Sequence, residues 1–462
     1  MKYIKNADIL LKHGDVPAKG KILELLDRLW YEMDSYRIIK NMVKIEDGTL
    51  HIGECSWDLC KKKNIYLFGA GKACNAMAMA MDEVLGEHLS KGIISVKIAE
   101  PEDKYKNTIA YVGGHPLPNK EGMTAALEII KMIDDACSDD LFISVISGGS
   151  SALLTCSVDG ITLEDEICTQ DTLLRSGAKI GEINAVRRHI SLTNGGRLAE
   201  RILGKGAELI NIIVDDGIGE LPLVNRNVPV PYSATPVAED STTLQDARDC
   251  IENYNLKNRI PKSVIEYLWD DDPKKETPKA FNSGITHFVL NSVPDSCEEA
   301  LKIAKDMGIN AMVFSTFLEG EAREAGYFFG SLAREIQANK RPIVPPCFVF
   351  CSGEATTTVL DGCTGKGGPG HELALGFALE VKDIDNVALA SVDTEGTDGT
   401  TVFAGGIADT HTIRQIEDKG YDYYEIMRNH DSGGALEAID SSILTGNTGT
   451  NVCDFNVMYI GK

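Results

Sequence analysis

The chain has 462 residues, with 46 Lys and Arg against 69 Asp and Glu, a formal net charge of −23. That balance argues against a surface for nucleic acid or anionic membrane, and a polyanionic ligand would have to meet a local basic cluster. The length exceeds what one hydrophobic core supports, so two domains are expected, and the 44 glycines suit many tight turns.

The twelve cysteines are scattered, none as CxxC or with zinc spacing, which fits unpaired thiols in a reducing cytosol. The first fifteen residues lack a signal-type apolar core, and no apolar run approaches the ~18 residues of a membrane helix. A cytoplasmic protein without a membrane segment is expected.

Residues 17–45 place apolar side chains at helical spacing. Ile65–Phe68 then reads as a strand buried on both faces, broken by Gly69, Ala70 and Gly71, with an Ala- and Met-rich helix over 73–81. In such a strand–turn–helix unit the first-turn N–H groups attract an anion, and Lys72 stands where an ammonium could reach it. The motif is neither a Walker loop nor a full GxGxxG, and a plain turn with a solvated lysine reads equally well.

Strands follow over 92–96 and 108–112, the latter running into Gly113-Gly114-His115-Pro116-Leu117-Pro118, then a helix over 121–136. Leu141–Ile146 is a core strand ending in Ser147-Gly148-Gly149-Ser150-Ser151, which repeats the opening pattern. Helices are expected over 163–180 and from Glu182, the second carrying Arg187, Arg188 and His189. Adjacent arginines on a helix face different ways, so at most one serves a site. Leu209–Val214 is a strand ending in Asp215 and Asp216, and carboxylates at that end lie where α/β proteins bind ligands, although Asp also forms turns.

Residues 220–243 are a proline-rich loop, 244–254 and 262–268 are helical, and the charged segment 270–278 marks the domain junction. The α/β pattern then resumes: strands at 287–291, 311–315, 347–351 and 387–391, helices over 296–307, from Leu318, and over 371–381. The 347–351 strand runs into Gly353 and Glu354, a glycine-dense loop spans 362–370, and the 387–391 strand runs into Asp393 and Asp398. The expected fold is two α/β domains, residues 1–280 with a Rossmann-like, doubly wound, mostly parallel sheet and residues 281–462 as a second domain.

Small-residue turns, Lys72, Arg188 and the carboxylates Asp215, Glu354, Asp393 and Asp398 are the inventory of phosphoryl transfer. Amides and cations hold the phosphates, and carboxylates hold Mg²⁺. A serine hydrolase is disfavoured because residues 147–151 are not GxSxG.

The chain resembles the type II glycerate kinases, glycerate 2-kinases whose C-terminal part is the MOFRL domain. The resemblance covers nearly the whole chain. It rests on GAGKA (69–73), GGHPLP (113–118), SGGSSALL (147–154), INAVRRHIS (183–191), GGRLA (195–199), GEAREAG (320–326), SGEATTTV (352–359), ELAL (372–375), DTEGTDGT (393–400) and TGTNV (448–452).

The resemblance implies a site in the interdomain cleft and an ATP- and Mg²⁺-dependent kinase acting on the 2-hydroxyl of D-glycerate or a related hydroxy acid. Lys72, Asp215 and Arg187 or Arg188 (Arg188 preferred) would be catalytic. Gly69, Gly71, Ser147, Gly148, Gly149, Ser150, Glu354 and Asn451 would bind nucleotide, and Asp393 and Asp398 metal. The partner is a small hydroxy acid; a homodimer is allowed for.

The chain departs from the family at several ligand loops. Pro369 replaces the arginine of GGRNQELAL, with Gly370 and His371 after it; His371 is a stand-in cation, and Arg226 an alternative donor. Ser150 stands where glycine is usual, Ser233–Val237 replaces ASGPT, and Asn194 replaces a lysine. These changes imply an altered acceptor or reduced activity. Two alternatives remain: a hydroxypyruvate reductase, against which GAGKAC lacks the third glycine, and a non-catalytic ligand-binding relative.

Overall fold

The computed structural model describes residues 1–219, 221–232, 236–359 and 362–462. The chain divides into two compact units, each drawn from separate stretches. One comprises Ser35–Val214 and Asn225–Leu290, the other Met1–Asp34, Asp215–Val224 and Asn291–Lys462.

The first unit is built on a sheet whose strands lie in the order Thr108–Val112, Leu89–Val96, Ile65–Gly71, Leu141–Ile146, Glu208–Val214 and Ile285–Asn291. Ile65–Gly71 pairs parallel with both of its neighbours, and the next pair outward on each side is parallel too. Numbered along the chain, the order is 3-2-1-4-5-6, the doubly wound arrangement. The topological switch point falls between Ile65–Gly71 and Leu141–Ile146, where ligands bind in such sheets.

These strands are apolar because helices cover both faces. Phe68, Ile93, Phe142, Ile146 and Leu209 are buried against Ala125 and Ile129 of the helix Lys120–Asp134 and Leu198 of the helix Arg197–Gly204. A second cluster joins the helices Leu163–Leu174, Ile180–His189, Leu244–Asn253 and Lys262–Leu268 through Leu173, Val186, Ile251 and Val264.

The stretch expected to be helical over 17–45 forms two helices, Val16–Met33 and Ser35–Met42, and its last residues turn into a strand. Val43–Glu46, Thr49–Ile52 and Cys55–Asp58 form an antiparallel meander. Its first turn uses Asp47 and Gly48, both at positive φ (49° and 74°), the two-residue hairpin geometry that favours Asp-Gly.

The second unit carries a mixed sheet in the order Asn310–Leu318, Cys347–Gly353, Asp454–Ile460, Val387–Asp393, Gly405–Asp409 and Ser442–Ile443. The first pair is parallel and the others antiparallel. The helices Ala322–Asn339 and Pro369–Val381 meet each other at glycine-close range: a Cβ on Gly326 would lie 2.3 Å from the Leu373 carbonyl oxygen. Sequence reasoning left 402–443 unassigned, and that stretch holds the strands Gly405–Asp409 and Ser442–Ile443 and three short helices. The twelve cysteines are free thiols, and among the described residues no helix is long and apolar enough to cross a membrane.

Candidate functional site

The two small-residue turns expected to bind an anion stand side by side at the switch point. Ser147 N–H donates to the Ala70 carbonyl at 3.1 Å and Lys72 N–H to the Gly148 carbonyl at 3.0 Å. The Ser147 hydroxyl accepts from Ala73 N–H at 2.9 Å. Only glycine fits at 71, where φ is +139° and a Cβ would lie 2.1 Å from Ser147 Oγ. Gly69 is constrained as tightly, its Cβ position being 2.4 Å from the Val145 carbonyl oxygen.

Gly149 has φ +84°, and a Cβ there would come within 3.0 Å of the His115 ring and 3.3 Å of Lys72 Cγ. Lys72 and His115 therefore flank the bare Gly149 backbone. Ser150, buried, opens the helical turn Ser150–Leu153. The helix Cys74–Leu85 begins beside Lys72 with no side chain capping it at Ala73, so its first-turn N–H groups and dipole suit an anion. Gly69, Gly71, Lys72, Ser147, Gly148, Gly149 and Ser150 thus come together in one place, with Ser147 holding the two turns to each other.

Arg187 and Arg188 face different ways, as expected. Arg188 pairs with Asp240 at 2.9 Å. Burial alone would raise the Asp240 carboxyl, but Arg188 and hydrogen bonds from Thr242 and Thr277 bring it below its ordinary value. Arg187 is buried beside Asn184, and burial weakens its hold on its proton. Asn194, in place of the family lysine, donates to the Ser151 carbonyl at 3.3 Å. Arg226 donates to the Leu290 carbonyl. Of the Ser233–Val237 stretch, Ser233, Ala234 and Thr235 lie outside the described residues.

In the second unit, carboxylates gather at one end of the mixed sheet. Asp393 closes its strand directly opposite Asp454, and Asp454 in turn lies opposite Gly353, next to the exposed Glu354. Asp454 is driven well above the ordinary carboxyl range by burial and by Asp393, Asp398 and Glu354. The Cys453 thiol is raised by burial and by Asp216, Glu354, Asp454 and Asp393. Asn451 donates to Asp216 Oδ2 at 3.2 Å, and Asp215 N–H donates to the Asn291 carbonyl at 2.9 Å. Sequence reasoning did not single out Asp454; the antiparallel register that sets it against Asp393 has no local signal.

Asp398, expected to bind metal, accepts N–H bonds from Gly370 (3.1 Å) and His371 (2.9 Å) and bonds the His371 ring at Nδ1. It caps the helix Pro369–Val381, in which Pro369 is the first residue. His371 is fully buried with its Nε2 3.4 Å from Ser442 Oγ, so it does not take the place of the lost arginine as a cation at a ligand. Next to it, Glu372 bonds His430 Nδ1 at 2.6 Å, and burial raises its carboxyl.

Among the described residues no group of three or more His, Cys, Asp or Glu side chains is arranged to hold a metal ion. Mg²⁺ asks for less, since it keeps several waters and takes one or two carboxylates together with phosphate oxygens. Asp393 and Asp454, directly opposite each other across a strand pair, supply two carboxyl groups of that kind.

A doubly wound sheet with two small-residue turns paired at its switch point, and a separate mixed sheet ending in carboxylates, define a two-unit α/β protein. Residues 21–269 match the family described as "Domain of unknown function (DUF4147)" and residues 347–454 the MOFRL family. A glycerate 2-kinase of Pyrococcus horikoshii is 36% identical over 421 residues, covering 91% of this chain and 92% of that protein. The crystal structure of glycerate kinase from Thermotoga maritima superposes with a TM-score of 0.75 at 32% identity, covering 95% of this chain and 98% of that one. A relative in Agrobacterium vitis, 31% identical over 393 residues (85% of this chain, 86% of that protein), is provisionally named a hydroxypyruvate reductase. The chain belongs to the glycerate 2-kinase family.

Proposed function

We propose that this protein is a kinase that uses ATP and Mg²⁺ to phosphorylate the 2-hydroxyl of D-glycerate, or of a closely related small hydroxy acid. The observation that carries the reading is the pair of turns at the switch point, where Lys72 and His115 flank the Gly149 backbone. Backbone amides and one ammonium in that arrangement hold a phosphoryl group and stabilise the charge it gathers in transfer. Asp215, at the end of its strand, is the proposed base. It takes the hydroxyl proton as the substrate oxygen bonds to the γ-phosphorus and the bond to the departing ADP breaks. Asp393 would hold Mg²⁺ together with Asp454, and the ion would neutralise phosphate charge. Asp398 then acts through the helix it caps.

Pro369 refines the substrate. Proline offers no donor, so a carboxylate that an arginine would grip loses its fork there. The acceptor is accordingly a 2-hydroxy acid other than D-glycerate, or D-glycerate bound weakly. The reductase reading has the provisional name of one relative in its favour, and against it a turn that lacks the third glycine of the dinucleotide fingerprint. Coupled detection of ADP release over a panel of three- and four-carbon hydroxy acids tests the proposal. ADP formed only with an acid present supports a kinase; oxidation of a nicotinamide cofactor by hydroxypyruvate, with no ADP formed, supports the reductase.

A further inference from the structure

The Asp240 side chain is fully buried at the end of the proline-rich loop. Its Oδ1 accepts from the Thr242 N–H at 2.9 Å and the Thr242 hydroxyl at 2.8 Å, and its Oδ2 from the Thr277 hydroxyl at 2.8 Å. Its own N–H donates to the Pro278 carbonyl at 2.9 Å. These bonds fix the carboxylate independently of any cation. Arg188, in the last turn of the helix Ile180–His189 and with 18% of its side chain open to solvent, meets it through Nη1 alone, at 2.9 Å. Arginine and carboxylate commonly pair through two parallel bonds. Here Nε is buried without a partner and Nη2 has none among the described residues, so one whole edge of the guanidinium is unused. A buried donor without an acceptor is costly and calls for an explanation, and a bound oxyanion supplies one.

The Gly195-Gly196 turn links this pair to the switch point. Gly195 has φ +64°, and a Cβ there would lie 3.2 Å from Arg188 Cβ and 3.5 Å from Asp240 Oδ2. Gly196 has φ +80°, and its Cβ would lie 2.6 Å from the Ala238 carbonyl oxygen. The bare turn is what lets the helix and the Asp240 segment close on each other. Asn194, just before it, donates to the Ser151 carbonyl at 3.3 Å, next to Ser150. We propose that Asp240 is a positioning residue: it holds Arg188 by one nitrogen so that the free edge takes an oxyanion of the reactants, either the carboxylate of the acceptor or a phosphate of the nucleotide. This rests on the phosphoryl-transfer reading given above. Lys72 supplies a point charge at the neighbouring turn, and Arg188 supplies a planar fork.

Inorganic phosphate is the probe, titrated calorimetrically into the full chain, so that no turnover is needed. Arg188→Ala should weaken phosphate binding about ten- to a hundredfold, the scale of losing charged hydrogen bonds. Guanidinium ion, added at a millimolar and non-denaturing level, should restore much of it, because the bonded Asp240 carboxylate still marks the place. In Arg188→Ala combined with Asp240→Asn, which keeps the shape and drops the charge, the same addition should restore nothing. A role confined to folding would not show this split. Arg188→Lys keeps a charge and a bond to Asp240 but has no second edge, so it should bind phosphate as weakly as Arg188→Ala. It decides the matter if the alanine variant fails to fold by circular dichroism. In assays of ADP release, a KM raised for the acid assigns the edge to the carboxylate, and a KM raised for ATP assigns it to phosphate. A wild type that releases no ADP fails the kinase reading and leaves the phosphate titrations to judge Asp240. A wild type that does not bind phosphate, an affinity unchanged in both Arg188 variants, or rescue as strong without the Asp240 charge would overturn the proposal.

Discussion

Asp398 accepts the His371 backbone N–H at 2.9 Å, which makes its side chain the cap of a buried helix. Asp398→Asn keeps an acceptor but loses the charge that faces the helix N-terminus. It should destabilise the fold by roughly 1–2 kcal/mol and leave the Mg²⁺ requirement unchanged. Asp393→Asn should do the reverse, raising the Mg²⁺ concentration for half-maximal rate with little change in melting temperature. Thermal melts and Mg²⁺ titrations of the two variants separate these outcomes; identical titrations for both would take Asp393 out of the metal site.

Lys72→Ala should lower kcat by about two orders of magnitude or more, the scale of removing one preorganised charge from a transferring group. Its backbone N–H bond to Gly148 survives the substitution, so the unfolding midpoint should stay near wild type. Unaltered turnover would remove Lys72 from the reaction.

Pro369→Arg restores the family residue at the first position of a helix whose N-cap is Gly368. Proline there gives up an N–H that no helical partner would use, so stability should change little. kcat/KM for D-glycerate should rise about ten- to a hundredfold, since one charged fork is worth ~1.5–3 kcal/mol. A low-micromolar KM for D-glycerate in the wild type would show that the proline is neutral.

Lys19 is 1% exposed, and burial lowers its pKa to about 8, partly offset by Asp409, Asp15 and Asp440. In the unfolded chain this lysine keeps its proton up to its ordinary 10.5. The unfolded state thus binds more protons between about pH 8 and 10.5, and the lysine's contribution to stability rises with pH across that window; below it the cost of burying the charge is fully present. Relative to Lys19→Met, which does not titrate, the wild type should gain up to ~3 kcal/mol between those limits, at ~1.4 kcal/mol per pH unit. Denaturant midpoints of both proteins at stepped pH check it; a gap that does not vary with pH would contradict it.

The doubly wound sheet was legible because its strands are continuous apolar runs, each ending in a small-residue turn, and both signals are local. The pairing of Gly71 with Ser147 was visible only as a repeated pattern, yet the two turns touch. What escaped depends on distant partners. Arg188 meets Asp240, 52 residues away, and Asp454 faces Asp393 only through antiparallel register. The meander over 43–58 was missed because helical spacing runs without a break into Val43; the Asp47-Gly48 pair was the signal that could have found it. His371 looked available because it stands two residues from the missing arginine, but the helix that starts at Pro369 turns it inward.

The most direct test of the account is ³¹P NMR of the product formed from Mg·ATP and D-glycerate by the wild-type protein. A phosphomonoester on carbon 2, formed slowly at low acid concentration and faster in Pro369→Arg, is the predicted result. A phosphate on carbon 3, or no transfer to any hydroxy acid while NADH is oxidised by hydroxypyruvate, would contradict it.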